Sequence, residues 1–132
     1  IKQYIFAKGL SDKVFLRGFC SCVTEKIRNA GIFLITSDFE GMSNSLMEAL
    51  AMGLPCISTD HPTGGARALI KDHENGILIP VCDLEKCVTA LEELMDDKLL
   101  RERLSKNAIK LRSDLSIDKV ANMWIDYIKK IV

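Results

Sequence analysis

The chain has 132 residues, of which 48% are hydrophobic and 27% are charged, a composition typical of a globular domain with a buried core. Its 18 basic and 18 acidic residues give a formal net charge of zero, so it lacks the basic excess typical of nucleic-acid-binding proteins. No apolar run approaches the roughly 20 residues that a membrane-spanning helix needs.

Apolar runs and helical patterns alternate along the first 80 residues. The pattern predicts, in chain order, a helix over 1–7 stopped at Gly9, a strand over 14–16, a helix over 24–30, a strand over 32–35, a helix over 46–52, a strand over 56–59, a helix over 66–70 and a strand over 76–79. Runs this short and apolar are typical of strands buried on both faces of a parallel sheet.

Three amphipathic helices follow these elements. Asp83 is expected to cap the first helix, Asp96 and Asp97 to separate it from a second over 99–111, and Ser116 to cap a third over 116–131. In the third helix we expect Trp124 and Tyr127 to anchor the core. The whole pattern predicts an α/β fold: a Rossmann-like, doubly wound parallel sheet of about four strands, followed by C-terminal helices.

The cysteines and histidines do not form a metal-binding pattern. The chain contains five cysteines: Cys20, Cys22, Cys56, Cys82 and Cys87. Neither of the two close cysteine pairs has a second pair at zinc-ligand spacing, and His61 and His73 are isolated in loops. We therefore expect no metal site, and we expect free thiols in a reducing, cytoplasmic compartment.

Residues 37–45 form a polar turn between a predicted strand and the next helix. Ligands of open parallel sheets bind beyond the carboxyl ends of strands, which is where this turn lies. Glu40 lies in the turn, and Glu48 follows after seven intervening residues, about one turn into the helix. Amides and the dipole at a helix N-terminus favour an anion, whereas carboxylates accept hydrogen bonds from hydroxyls. This combination suits a sugar nucleotide.

A purely structural interpretation competes with this one. Ser45-x-x-Glu48 also fits a capping box, in which Glu48 would satisfy only the N-cap amide, and Glu40 could be a solvated turn residue. The flanking strands, the small residues and the later glycine segment favour the ligand-binding interpretation.

The stretch resembles the E-x7-E region of retaining glycosyltransferases of the GT-B fold, in the large family 4 (glycosyl transferases group 1). The matching residues are Ser37, Glu40-Gly41, Asn44, Leu46, Glu48-Ala49, residues 51–53, Pro55, Thr59-Asp60, residues 63–65 and residues 75–80. The resemblance covers most of residues 10–130. One departure is Ala68, which stands where the family often has a glutamate after the loop that contains Gly64 and Gly65.

The resemblance implies roles for the residues around the turn. Glu40 would contact the donor-sugar hydroxyls and act in catalysis, and Glu48 would hold the ribose of the nucleotide. Backbone amides facing the diphosphate and sugar would come from Gly41, Met42, Ser43, Asn44, Ser45 and Leu46. Phe19 and Cys20 are the candidate neighbours of the nucleotide base.

The resemblance also implies the function of the parent protein. Residues 1–132 would be a single, partial carboxyl-terminal donor-binding domain of a hexosyltransferase. The enzyme would transfer a sugar, with retention, from a nucleoside-diphosphate sugar, expected to be a UDP-sugar, to a glycan or lipid-linked acceptor. We expect it to need no cofactor or metal ion, and to work in the cytoplasm or peripherally at the cytoplasmic face of the membrane.

The chain opens abruptly on Ile1, so we expect a truncation at its amino-terminal side. Its partner would be the amino-terminal GT-B domain of the same polypeptide, without which it would be inactive. Alternatives with the same fold are a sugar-nucleotide epimerase, a phosphorylase or a non-catalytic binding module. A dinucleotide-dependent dehydrogenase is disfavoured, because no strand opens into a glycine fingerprint.

Overall fold

The computed structural model describes residues 1–131, within which a three-stranded parallel sheet packs against helices. The strands are β1 (Phe33–Ile35), β2 (Cys56–Thr59) and β3 (Ile77–Ile79), in the order β1-β2-β3. The helices are α1 (Lys2–Ala7), α2 (Val23–Ile27), α3 (Asn44–Ala51), α4 (Gly65–Leu69), α5 (Leu84–Asp96), α6 (Lys98–Ala108), α7 (Leu111–Asp114) and α8 (Ile117–Ile131).

Both faces of the central strand β2 are buried. Successive strand residues point to opposite faces, and Cys56 and Ile57 accordingly belong to different apolar clusters while both are fully buried. Cys56 packs with residues of α3 and α4, and Ile57 with residues of α5 and α6. Burial raises the pKa of the Cys56 thiol to about 12, because it disfavours the charged thiolate. The predicted doubly wound α/β layer is therefore confirmed.

Two expectations about the strands were wrong. Leu34 of β1 is 39% exposed, so β1 is covered on one face only. Residues 14–16 form no strand; their side chains are 42–60% exposed, and this part of the chain pairs with none of the described strands. A parallel strand is held by its ladder of hydrogen bonds, so an apolar run without a ladder partner stays irregular. The sheet thus has three strands within residues 1–131, not four.

Most helix ends follow their predicted signals. Gly53 has a positive φ of 77° and ends α3, while the Leu54 amide donates to the carbonyl of Ala49 at 3.0 Å. The side chain of Asp83 accepts a hydrogen bond from the Lys86 amide at 2.9 Å, which caps α5. Asp97 caps α6 in the same way.

The last helices differ from the prediction in two respects. The predicted helix over 99–111 ends at Ala108, because the chain tightens there into bonds between residues three apart, such as Lys110 to Asn107. No side chain of α8 is buried, and Trp124 and Tyr127 are 63% and 57% exposed. The expectation that they anchor the core was therefore wrong. None of the helices within residues 1–131 combines the length and apolarity needed to cross a membrane.

Candidate functional site

The loop between β1 and α3 carries the predicted site. The hydroxyl of Ser43, a buried residue, accepts a hydrogen bond from the Leu46 amide at 3.4 Å, so Ser43 is the N-cap of α3. Ser45 lies inside the helix, and its hydroxyl is 3.0 Å from that of Ser43. The capping box at Ser45 and Glu48 is therefore not formed. Glu48 is the fifth residue of α3, one turn in, and its side chain is exposed.

Glu40 lies in the same loop and is half-buried. The Ser37 hydroxyl donates to Glu40 Oε1 at 3.0 Å. The carbonyl of Ser37 in turn accepts a hydrogen bond from Thr59 Oγ1 at 2.6 Å. Because Thr59 ends β2, these two bonds tie the Glu40 carboxylate to the central strand and limit its movement.

Two backbone amides between the two glutamates already have hydrogen-bond partners, those of Leu46 and Met47, and the Met47 amide donates to the carbonyl of Ser43 at 3.0 Å. Gly41, Met42, Asn44 and Ser45 are exposed residues, and their amides donate no hydrogen bond within residues 1–131. The amide of Leu46 is already the partner of the Ser43 hydroxyl, and the Leu46 side chain lies in the core. An anion at this helix start therefore meets mainly the amides that precede Leu46.

The loop between β2 and α4 packs directly on the Glu40 loop. Thr63 Oγ1 donates to the backbone carbonyl of Glu40, and His61 Nδ1 lies 2.7 Å from the same hydroxyl. A Cβ atom on Gly65 would lie 2.0 Å from the carbonyl oxygen of Gly41, so only glycine allows this approach. The two loops thus form one joined edge at the carboxyl ends of β1 and β2.

An ion pair beside these two loops was not predicted from the sequence. Arg67 of α4 donates from Nε and Nη2 to the two carboxylate oxygens of Asp60, each at 2.7 Å. The hydrogen bonds and charge of Asp60 raise the pKa of Arg67. The signal was an arginine seven residues after an aspartate, a spacing that is informative only once the intervening loop is known.

A cavity of about 270 Å³ opens at the carboxyl ends of all three strands. Its lining includes Thr36, which follows β1, Thr59 at the end of β2, and Ile79 at the end of β3. This is the edge at which open α/β sheets bind ligands.

The two candidate neighbours of the base line a different cavity from that at the strand ends. Phe19 is 97% exposed, which excludes a core role, and Cys20 is half-buried. Both line a cavity of about 620 Å³ between residues 17 and 27, together with Val23 and Ile27 of α2. Within residues 1–131, no three His, Cys, Asp or Glu side chains are grouped so as to hold a metal ion.

Comparison with known proteins identifies the family. The family described as "Glycosyl transferases group 1" matches residues 1–111. The chain belongs to this family. A protein from Bacillus subtilis (strain 168), named poly(glycerol-phosphate) alpha-glucosyltransferase, is 33% identical over 124 residues, which cover 94% of this chain and 18% of that protein.

Two further relatives are informative. An Escherichia coli protein named UDP-Gal:alpha-D-GlcNAc-diphosphoundecaprenol alpha-1,3-galactosyltransferase is 30% identical over 124 residues, 90% of this chain and 31% of its own length. The solved C-terminal domain of a glycosyl transferase group 1 family protein (LpcC) from Francisella tularensis superposes with a TM-score of 0.77 at 25% identity, covering 86% of this chain and 59% of that one. The fold is therefore that of a GT-B C-terminal, Rossmann-like domain.

The chain spans less than a third of the length of either curated relative.

Proposed function

We propose that this chain is the donor-binding part of a retaining GT-B glycosyltransferase of family 4, which transfers a sugar from a UDP-sugar to a glycan or lipid-linked acceptor. The observation that carries this proposal is the position of two carboxylates, Glu40 and Glu48, on either side of the N-terminus of α3. Family membership supports the reaction class. The name of the E. coli relative supports a UDP-sugar donor and a lipid-diphosphate acceptor.

The proposed chemistry uses binding and orientation. Glu48, exposed on the second turn of α3, accepts hydrogen bonds from the ribose hydroxyls. Glu40, held by Ser37, accepts hydrogen bonds from hydroxyls of the donor sugar and orients it. As the bond between sugar and diphosphate breaks, negative charge grows on the phosphate oxygens. The exposed amides at the start of α3 and the helix dipole stabilise that charge.

The described residues offer no comparably defined site for the acceptor. We propose that an amino-terminal GT-B domain of the same polypeptide supplies the acceptor-binding site. We also propose that the parent enzyme works peripherally at the cytoplasmic face of a membrane. Transfer needs both substrates held in reacting geometry. This chain alone is therefore expected to bind the donor without transferring the sugar.

The first experiment is a calorimetric titration of the chain with UDP, GDP and ADP, with and without Mg²⁺. We expect weak binding of UDP, with a dissociation constant on the order of 0.1–1 mM, that does not require the metal ion. In Glu48→Ala the affinity for all three nucleotides falls, because the ribose partner is lost.

Glu92→Ala is the matched control, since Glu92 is an exposed glutamate on α5. It should leave UDP binding unchanged. Equal binding by Glu48→Ala and the wild-type chain would contradict the ribose role. Failure of the folded wild-type chain to bind any of the three nucleotides would contradict the donor-binding function itself.

A further inference from the structure

The loop that carries Glu40 is held at two backbone carbonyls, and both partners are threonine hydroxyls from the β2 side. Thr59 donates to the carbonyl of Ser37, and Thr63 donates to the carbonyl of Glu40. The turn between these two carbonyls contains the Glu40 side chain. Its orientation therefore depends on bonds made by residues outside the loop itself.

The direction of the hydrogen bonds at Thr63 follows from its single hydroxyl proton. A backbone carbonyl can only accept, so that proton goes to the carbonyl of Glu40. The oxygen of Thr63 must then accept from His61, whose Nδ1 is 2.7 Å away. A neutral imidazole carries one N–H, so neutral His61 must be the Nδ1–H tautomer.

His61 is well placed to act as a fixed support. It is 2% exposed, and buried polar groups are almost always hydrogen-bonded, which favours a permanent bond to Thr63. Thr63 itself is exposed, so water competes for both hydrogen bonds of its hydroxyl, the one with His61 and the one with the Glu40 carbonyl. The buried ring therefore selects one orientation of an otherwise mobile hydroxyl.

We propose that His61 and Thr63 are positioning residues for Glu40. His61 Nδ1–H donates to Thr63 Oγ1, Thr63 donates to the carbonyl of Glu40, and this His61–Thr63 relay fixes the angle at which the Glu40 carboxylate meets the donor sugar. The contacts stand by themselves, whereas their meaning for the sugar rests on the proposed donor-binding function. The relay acts on the sugar end of the ligand, because Glu48 lies on α3 and does not depend on it.

The first test is a side-chain ¹H–¹⁵N correlation spectrum of the ligand-free chain, recorded at a pH where the ring of His61 is neutral. The chain has only two histidines, so His73 serves as an internal reference. We expect His61 in the Nδ1–H form, whereas free histidine in water favours the Nε2–H form. Thr63→Val, which keeps the shape and removes the hydroxyl, should change the His61 nitrogen signals and the Gly41 amide signal.

Two variants separate the relay from a general loss of structure. Thr63→Ser retains a hydroxyl and should restore the wild-type spectrum. Thr89→Val is the matched control, because Thr89 Oγ1 also donates to a backbone carbonyl, that of Glu85 at 2.9 Å, but on α5. It should leave both the His61 and the Gly41 signals unchanged. Unchanged signals in Thr63→Val would overturn the relay.

The second test measures the affinities for UDP and UDP-glucose and compares their ratio among variants. A hydrogen bond contributes about 0.5–1.5 kcal/mol, so Thr63→Val should weaken UDP-glucose binding by about 2- to 10-fold while UDP binding changes less than about 2-fold. Glu40→Ala should likewise weaken the binding of UDP-glucose relative to that of UDP. Equal weakening of both ligands would mean that Thr63 has a structural role only, and would refute positioning.

The two tests fail separately. If the wild-type chain binds neither ligand, the proposed donor-binding function is wrong, and the positioning role is refuted with it. The nitrogen spectrum still decides, without any ligand, whether the relay between His61 and Thr63 exists.

Discussion

Helices α6 and α8 both carry a stripe of apolar residues but lie in different environments. In α6, Leu100, Leu104 and Ala108 recur at spacings of four and are 0–6% exposed. The two leucines pack with residues of β3 and α5, and Ala108 packs with residues of α3. In α8 the apolar residues recur at similar spacing, yet no side chain is buried. An apolar stripe on a helix therefore specifies which face is available for packing. Whether another element covers that face depends on the position of the helix in the fold.

The largest effect is expected where the stripe is covered. Leu104→Ala removes a fully buried side chain and leaves a cavity, which should lower the free energy of unfolding by about 2–5 kcal/mol. Leu99→Ala is the control on the same helix, because Leu99 is 77% exposed. It should change that free energy by no more than about 0.5 kcal/mol. Urea unfolding followed by circular dichroism measures both, and equal effects would contradict the assigned orientation of α6.

A second test concerns the contact between the two loops. In Gly65→Ala the new methyl would lie 2.0 Å from the carbonyl oxygen of Gly41, so the backbone must shift. Overpacking of this kind costs about 1–3 kcal/mol, and the Gly41 amide signal should move. In Gly31→Ala the new methyl meets nothing within 4 Å, so neither the stability nor the Gly41 amide signal should change. Similar stability of the two variants would show that the loops are not in close contact.

Truncating an apolar side chain of α8 should lower the stability less than truncating one of α6. Trp124 is 63% exposed and makes an edge-to-face contact with Tyr127, at 6.3 Å between ring centroids. Trp124→Ala should therefore lower the free energy of unfolding by less than about 1 kcal/mol. The fluorescence of this single tryptophan offers an independent check, since an exposed indole emits at long wavelength. A loss comparable to that of Leu104→Ala would mean that α8 is covered after all.

The smallest effect on stability is expected at His73, an exposed residue that pairs with Asp72 and with Glu93 of α5. Partial burial by itself would lower the pKa of His73, but hydrogen bonds and charge from Asp72, at 3.0 Å, and Glu93, at 3.3 Å, raise it overall. A raised pKa stabilises the folded state while the ring is charged. The contribution is therefore complete below the unfolded pKa of about 6.5 and is lost as the pH rises through the folded value.

The size of this contribution is that of an exposed pair, at the low end of about 0.2–1 kcal/mol. His73 has a positive φ of 55°, which asparagine tolerates, so His73→Asn is a suitable variant. The stability difference between wild type and His73→Asn should shrink between pH 5 and pH 8. A difference that grows over this range would have the wrong sign for the proposed pairing.

The elements that the sequence predicted well are those with local causes. The strands at 56–59 and 76–79, the cap at Asp83, the break at Asp96 and Asp97 and the stop at Gly53 depend on side chains and backbone within a few residues. The placement of Glu40 and Glu48 around a helix start also follows from local sequence. The precise cap at Ser43 could not be chosen, because Ser43, Asn44 and Ser45 are all good N-cap residues.

By itself the sequence determined the α/β class, the parallel strands and the polar turn that carries the candidate site, because periodicity and capping act over short distances. Only the tertiary structure decided that residues 14–16 remain unpaired and that Trp124 is exposed, since both depend on which neighbour is present. It also decided that Thr63 reaches the carbonyl of Glu40, 23 residues away. Contacts of that range arise when parallel strands bring separate loops to one edge of the sheet, and the spacing of residues along the chain does not encode them.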